Sequence, residues 1–257
     1  MTTLASLQQF EAALNLPANS EINARLHKKQ FYEHGDLTTS DKQAFSADIA
    51  AIEISHSFKP ANSNIPPLVT DEIDYSELTL LRVTLHSPKR LARLAEVIQR
   101  TIPYPLLILF HQPEPTPHIA INCAHKRINR SDSSKVVIEQ SICSDWLPLP
   151  PETAWQNQFI AAFSFANFSY HNFWQLTDSI MNHLIAYHAA RHTGTYQPSH
   201  ANPQQCWQAV NQLDKLAKQQ MTLRKKLKQE RQMSRQIALN SELRRIGLEI
   251  EQINRQI

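Results

Sequence analysis

The residues best placed to do chemistry in this sequence form a dense run of cations near the C-terminus. In the segment RKKLKQER, five Lys and Arg side chains fall within eight residues. Cations at this density can neutralise the phosphates of DNA or RNA. A smaller basic group lies in HKRINR, which we interpret as a loop between two strands. The candidate nucleic-acid contacts are Lys126, Arg127, Arg130, Arg224, Lys225, Lys226, Lys228 and Arg231.

Histidines and carboxylates are the other groups that could support a reaction. His188 and His192 lie four residues apart, as zinc ligands on one helix face do, and His183 precedes them. No distant ligand completes the set, so we expect surface or partly buried histidines. A Mg²⁺-dependent nuclease would need an Asp/Glu-x-Lys triplet on a strand, and no predicted strand has one. We therefore predict no metal, no cofactor and no catalytic residue, and a cryptic metal-dependent nuclease is the least favoured alternative.

The composition limits the classes of protein to which this chain can belong. The chain has 257 residues, 42% of them hydrophobic, enough for one large or two small domains. With only 3 Gly, all far apart, it has no glycine-rich phosphate loop. Its 3 Cys lack metal-ligand spacing, and no segment approaches the roughly 20 apolar residues of a membrane span. The N-terminal segment has no signal-peptide pattern, so we expect a reduced, cytoplasmic protein with no membrane partner.

The charge is unevenly distributed along the chain. The whole sequence has 26 Lys and Arg against 23 Asp and Glu, a net charge of +3. From Gln204 to Ile257 there are 11 basic and 5 acidic residues, or +6, which leaves 15 basic and 18 acidic residues, or −3, elsewhere. The sequence therefore predicts a mildly acidic body followed by a basic C-terminal segment.

The same basic segment carries a regular apolar pattern. Apolar residues recur at 4-3 spacing before Glu230 and again after Ala238, but the two patterns are out of phase. This pattern favours a coiled-coil-like helix or a helical hairpin with a break between these two residues. The candidate oligomer or partner interface consists of Leu213, Leu216, Leu223, Leu227, Leu239, Leu243, Ile246, Ile250, Ile253 and Ile257.

The elements that precede this segment predict an α+β domain over residues 1–147, with a small mixed sheet and packed helices. Ser40 and Ser87 each have the character of a helix N-cap, and the segment from Ser20 to Asn23 suggests a helical turn. The apolar run LLILFH predicts a strand covered on both faces. The predicted strands are Ile52–Lys59, Glu77–His86, Leu106–His111, His118–Ala124 and Lys135–Ile142.

Beyond the sheet domain, we expect an aromatic-rich helical region over 148–203 and the basic coiled-coil segment over 204–257. The Pro-rich segment LPLPPET separates the sheet domain from the helical region. The aromatic residues between Trp155 and Trp174 could form a platform on which bases stack. Their helical spacing favours packing in a core instead.

Several segments resemble a bacterial domain-of-unknown-function family, DUF4391. They are LPANSEINARLHKKQFYEH, IAAIEISHSFKPANSNIP, ELTLLRVTL, AEVIQRTIPYPLLILF and ERQMSRQIALNSELRRIGLEIEQI, and they span most of the chain. The family often has a Trp-type residue in its first strand, where this chain has Ile54 to Phe58. Members tend to be encoded in mobile defence loci, beside helicases and DNA methyltransferases. The resemblance implies a role near DNA and carries no catalytic residue set.

Together these patterns predict a non-enzymatic accessory or scaffold subunit of an anti-phage, restriction-modification-like system. It would assemble through its C-terminal coiled coil, as a homo-oligomer or with a helicase, nuclease or methyltransferase partner. The alternative is a nucleic-acid-binding module that contacts DNA or RNA through the basic C-terminal segment and HKRINR.

Overall fold

The computed structural model describes residues 6–35, 37–198 and 201–257. The chain forms two compact units, which divide between Leu184 and Ile185. Within the described residues, no helix is long and apolar enough to cross a membrane.

The first unit alternates helices and strands. Its helices are α1 (Leu7–Ala13), α2 (Lys28–His34), α3 (Thr39–Asp48), α4 (Pro60–Ser63), α5 (Leu91–Thr101), α6 (Ala154–Ala162) and the first part of α7 (Phe173–Thr193). Its strands are β1 (Glu21–Leu26), β2 (Ile49–Phe58), β3 (Leu68–Val69), β4 (Asp74–Tyr75), β5 (Leu78–Leu85), β6 (Leu106–Gln112), β7 (His118–Asn129), β8 (Asp132–Cys143) and β9 (Leu147–Pro148). Single 3₁₀ turns occupy Ala18–Ser20 and Phe165–Asn167.

The main sheet has seven strands and mixed direction. Its order is β1-β2-β5-β6-β7-β8, and β9 adds to β7 beyond the end of the β8 pairing. β5 and β6 are parallel and are joined through α5, whereas every other pair is antiparallel. β3 and β4 form a separate two-stranded hairpin. The predicted α+β class, with a mixed sheet and a C-terminal helical region, is confirmed.

One face of the sheet is covered by α3 and α5. Phe45 of α3 and Ile98 of α5 are fully buried against Leu81 and Phe110, which point from β5 and β6 into the same cluster. Burying each side chain of this size stabilises the fold by about 1.5–3 kcal/mol. The predicted run LLILFH is β6, and its first five residues are all buried, as expected for a strand covered on both faces.

The aromatic residues of α6 and the segment after it are also buried. Phe159, Phe163, Phe165, Phe168 and Phe173 are each at most 5% exposed. Phe165 stacks on Phe58 of β2 with ring centroids 4.7 Å apart. These rings form a core on the second face of the sheet, as their helical spacing predicted, and they are not available for stacking with bases.

Three predicted boundaries differ from the structure. The residues predicted to form a turn after Ser20 are an edge strand, because β1 pairs with β2 and this non-local pairing overrides the local signal. α3 is capped by Thr38 instead of Ser40, and the side chains of Thr38 and Asp41 satisfy each other's backbone N–H groups. α5 begins at Leu91, four residues after Ser87, because Arg90 adopts a left-handed conformation before it.

The second unit is mainly two long helices, α8 (Pro203–Gln229) and α9 (Met233–Asn254). Three residues connect them, so the chain reverses near Glu230, where the sequence predicted a break. The structure therefore has the helical hairpin that was one of the two sequence alternatives, and the single long helix is wrong.

Candidate nucleic-acid interface

The hairpin is fixed at both ends of α8 by side chains that satisfy backbone groups. At its start, the Asn202 side chain accepts a hydrogen bond from the Gln205 N–H at 3.0 Å, and Pro203 follows in the first turn. At the reversal, the Glu230 carboxylate accepts from the N–H groups of Arg231 and Gln232, both at 2.9 Å. These bonds hold the three-residue connection between α8 and α9, which contains neither Gly nor Pro.

The facing sides of α8 and α9 pair through the predicted apolar pattern. Leu213 and Leu216 of α8 are buried against Ile246 and Ile253 of α9. Leu223, Ile250 and Ile257 pack around this cluster. Nearer the turn, Leu227, Leu239 and Leu243 are only half-buried. Many of the apolar residues that form the candidate interface are thus buried against each other within one chain. We call these apolar residues of α8 and α9 the seam.

The outer surface near the turn is strongly basic. Between Lys218 and Arg245 there are nine Lys and Arg and two Asp and Glu, a net charge of +7. The five cations Arg224, Lys225, Lys226, Lys228 and Arg231 are all exposed. In the part of the chain that the structure describes, none of these five forms an ion pair with a carboxylate. We call the segment from Lys218 to Arg245 the basic end of the hairpin.

Shallow grooves flank the basic end on two sides of α8. One has a volume of about 380 Å³ and includes Arg224, Lys225 and Lys228 in its lining. The other, of about 420 Å³, includes Lys226 and Arg245. Arg224 and Lys228 lie one helical turn apart, about 6 Å along the axis, so they can contact successive sites on a polyanion. Among the described residues, these cations have no ion pair with a carboxylate to give up when they bind phosphate.

The second predicted basic group has a different structure. The segment HKRINR is not a loop: its first five residues continue β7 and pair with β8. Lys126 is 3% exposed, and its ammonium donates to the carbonyls of Ile102 and Tyr104, both at 2.8 Å. Burial lowers the pKa of Lys126 to about 7. Lys126 is therefore a buried structural group and has no surface to offer a phosphate.

The two arginines of that segment are paired within the first unit. Arg127 lies 3.4 Å from Glu139, and Arg130 lies 2.7 Å from Glu72. Arg130 is highly exposed, so its ion pair is worth little and can be exchanged for a phosphate contact. The loop prediction failed because a strand segment rich in cations and polar residues resembles a polar loop when only the local sequence is considered.

The histidines of α7 do not converge on a common point. His183 contacts the edges of Phe163 and Phe168, and burial lowers its pKa to about 4. His188 packs on Trp207, whereas His192 lies 2.9 Å from the Asp214 carboxylate. Among the described residues, no group of three or more His, Cys, Asp or Glu side chains is arranged to hold a metal ion.

The first unit also contains a buried polar network that no sequence pattern predicted. The Tyr75 hydroxyl accepts a hydrogen bond from the Lys126 N–H at 3.0 Å and lies 2.9 Å from Nδ1 of His125. Nε2 of the same imidazole lies 3.4 Å from the Asp178 carboxylate. Trp174 stacks on the imidazole, with ring centroids 4.9 Å apart. No local pattern could reveal this network, because its members lie about 50 residues apart.

A second network crosses the sheet at Arg82. Its guanidinium lies 2.6 Å from the carboxylate of Glu11 and 3.2 Å from that of Glu53. Glu53 and Arg82 are directly paired across β2 and β5. Because all three groups are partly buried and mutually compensated, this cluster is best explained as a contact that fixes α1 on the sheet.

A family model described as Domain of unknown function (DUF4391) matches residues 14–250. The chain belongs to this family. The match covers nearly the whole chain, including the sheet and the basic end of the hairpin. No curated protein and no solved structure matches the chain. Membership thus confirms the resemblance seen in the sequence.

Proposed function

We propose that this protein is an accessory subunit that binds DNA or RNA through the basic end of its hairpin. The observation that carries the proposal is that the two sides of the helices differ in chemistry. The apolar sides pack on each other within the chain, and a surface with a net charge of +7 faces outward. Such a surface supplies affinity through phosphate contacts and counterion release, without a requirement for base sequence.

Nucleic-acid binding, which was the alternative function predicted from the sequence, is therefore favoured over assembly through the seam. A coiled coil between chains needs an unoccupied apolar seam, and here the residues at its centre are already buried. The cations, in contrast, remain exposed. A role beside a helicase, nuclease or methyltransferase of a defence locus agrees with nucleic-acid binding, and we keep that setting as part of the proposal.

The test is fluorescence anisotropy with labelled single-stranded and duplex DNA and RNA over a series of salt concentrations. The double variant Lys225→Glu/Lys228→Glu should weaken binding at least tenfold. It should also reduce the slope of log affinity against log salt by about 2, or about 1 for each lost phosphate contact. The matched control is Lys215→Glu/Arg255→Glu, which makes the same charge change on exposed residues outside the basic end. Equal losses in both variants would refute a local interface.

A second candidate, self-association or docking of a partner protein, is favoured by apolar residues near the turn. Met233 is 71% exposed and Ile237 is 61% exposed, next to the half-buried Leu239. Light scattering on the full-length protein measures the mass in solution. If the wild type is a dimer and Met233→Ser/Ile237→Ser is a monomer, the result supports self-association through this surface. If the wild type and the variant are both monomers, self-association is excluded and the partner must be a different protein.

A further inference from the structure

The part of α8 that belongs to the basic end is exposed around most of its circumference. We call this part, from Lys218 to Gln229, the basic half of α8. Within it only Gln220, Leu223 and Leu227 are partly buried, and they recur at intervals of three and four residues. Leu223 packs against the apolar cluster that joins α8 to α9. The basic half therefore contacts α9 along one narrow line and presents its other sides to solvent.

The cations of the basic half lie on both flanks of the helix and on the side opposite α9. Successive residues of an α-helix are about 100° apart, so Arg224, Lys225 and Lys226 together cover about 200° of the circumference. Lys225 is two residues from both Leu223 and Leu227, which places it on the side away from α9. Arg224 and Lys226 line different grooves, one on each flank. The helix can thus contact phosphates on two sides at the same time.

No carboxylate interrupts this positive surface within the basic half. From Lys218 to Gln229 there are four Lys and one Arg, and no Asp or Glu. Lys218 precedes Lys225 by two helical turns, so both lie on the same side, about 10 Å apart along the axis. Among the described residues, neither lysine forms an ion pair with a carboxylate. The side opposite α9 is therefore positive along its length, and both flanks extend the positive charge.

The dimensions of the basic half match the major groove of duplex DNA. An α-helix with its side chains is about 10–12 Å wide, and the major groove of B-form DNA is about 12 Å wide. A helix in that groove has one phosphate backbone on each flank. Arg224 and Lys226 would then contact opposite backbones. Since α9 lies on the side away from Lys225, it would remain outside the groove.

Single strands and duplex RNA match the basic end less well. Proteins that bind single strands stack the bases on aromatic side chains. No Phe, Trp, Tyr or His occurs from Lys218 to Arg245, so the basic end has no ring on which a base can stack. Duplex RNA has a deep and narrow major groove, which leaves no room for a helix of this width. Duplex DNA is therefore the nucleic acid whose shape best fits the basic end.

We propose that the basic half of α8 enters the major groove of duplex DNA, with Arg224 and Lys226 on opposite phosphate backbones and Lys225 directed into the groove. This inference rests on the proposed function, nucleic-acid binding by the basic end, and adds which nucleic acid is bound and which surface of the helix contacts it.

Fluorescence anisotropy on the full-length protein tests the proposal by competition against a labelled DNA duplex of about two helical turns. The unlabelled competitors are the same duplex, each of its single strands, the corresponding RNA duplex and a DNA duplex whose cytosines carry glucosylated hydroxymethyl groups. The glucose is uncharged and fills the major groove. The unmodified duplex should compete about tenfold more strongly than each of the other three kinds. Netropsin, which occupies the minor groove, should not displace the protein.

Single variants test whether both flanks of α8 contact phosphate. Arg224→Gln and Lys226→Gln should each weaken binding of the DNA duplex and each reduce the slope of log affinity against log salt by about 1. The matched control is Arg255→Gln, which removes an exposed cation beyond the end of α9 and should change neither quantity. All three side chains are exposed, so their replacement leaves the packing between the helices intact.

The outcomes separate this inference from the function on which it rests. If no nucleic acid binds, or if Lys225→Glu/Lys228→Glu binds as its control does, the proposed function itself fails. If nucleic acid binds through the basic end but a single strand, the RNA duplex or the glucosylated duplex competes as strongly as unmodified DNA, only the insertion of α8 into the major groove is overturned. A loss of affinity in only one of the two flank variants would also overturn it, because a helix in the groove contacts both backbones.

Discussion

Replacing Lys126 with methionine should remove a rise in stability between pH 7 and pH 9. Burial lowers the pKa of Lys126 from its ordinary value of 10.5 to about 7, because the ammonium is desolvated in the protein interior, where it donates to backbone carbonyls. Above pH 7 the folded protein therefore holds this side chain largely neutral, while the unfolded chain still binds the proton up to about pH 10.5. Where the unfolded state binds more protons, stability rises with pH.

The magnitude follows from the two pKa values. Where the unfolded chain binds one proton more than the folded protein, the free energy of unfolding rises by about 1.4 kcal/mol per pH unit. The rise is smaller in the first half-unit above pH 7, where the folded protein still binds part of this proton. The wild-type free energy of unfolding should gain about 2 kcal/mol from Lys126 between pH 7 and pH 9, and this contribution should disappear as the pH falls through 7. The thiol of Cys123 has a pKa that burial raises to about 12, so its opposing effect begins only near pH 9.

The assay is urea-induced equilibrium unfolding of wild type and Lys126→Met at pH 7, 8 and 9. At pH 9 the variant should be less stable by about 1–3 kcal/mol, because the carbonyls of Ile102 and Tyr104 lose their donor. Lys42→Met, at an exposed lysine, controls for the loss of a charge. Parallel pH profiles for wild type and Lys126→Met would refute the assignment of a buried, proton-releasing lysine.

Two further predictions concern the framework. Leu213→Ala should destabilise the hairpin by about 2–5 kcal/mol, because it opens a cavity between α8 and α9. Leu248→Ala, at a side chain that is 61% exposed, should cost less than about 0.5 kcal/mol. Thermal unfolding followed by circular dichroism at 222 nm compares the two variants, and equal losses would contradict the hairpin core. Asp41→Asn should cost about 2 kcal/mol and reduce the loss of wild-type stability below pH 4. The hydrogen bond from Arg93 holds the pKa of Asp41 well below its usual range, so its stabilisation is lost only as the carboxylate protonates. Urea unfolding at pH 3 and pH 6 checks this, and an unchanged acid profile would exclude a contribution from the ion pair.

Much of the local structure could be predicted because its signals are periodic. The apolar run from Leu106 predicted a strand covered on both faces, and the 4-3 spacing with its phase break predicted helices that separate near Glu230. These signals work because a helix or strand must place its apolar side chains on one face or the other at a fixed period. The basic character of the last segment likewise depends on composition alone.

The tertiary structure decided which of these groups meet and which remain exposed. Lys126 lies in a basic segment of the sequence, yet strand pairing directs it into the core, where it holds the loop at Pro103. The apolar seam could pair within or between chains, and the reversal after Gln229 made it pair within one chain. The cavity lined by Phe31, Thr101, Pro103 and Lys135 draws on elements that are separated by many residues. Burial and proximity of this kind depend on long-range packing, which no local spacing encodes.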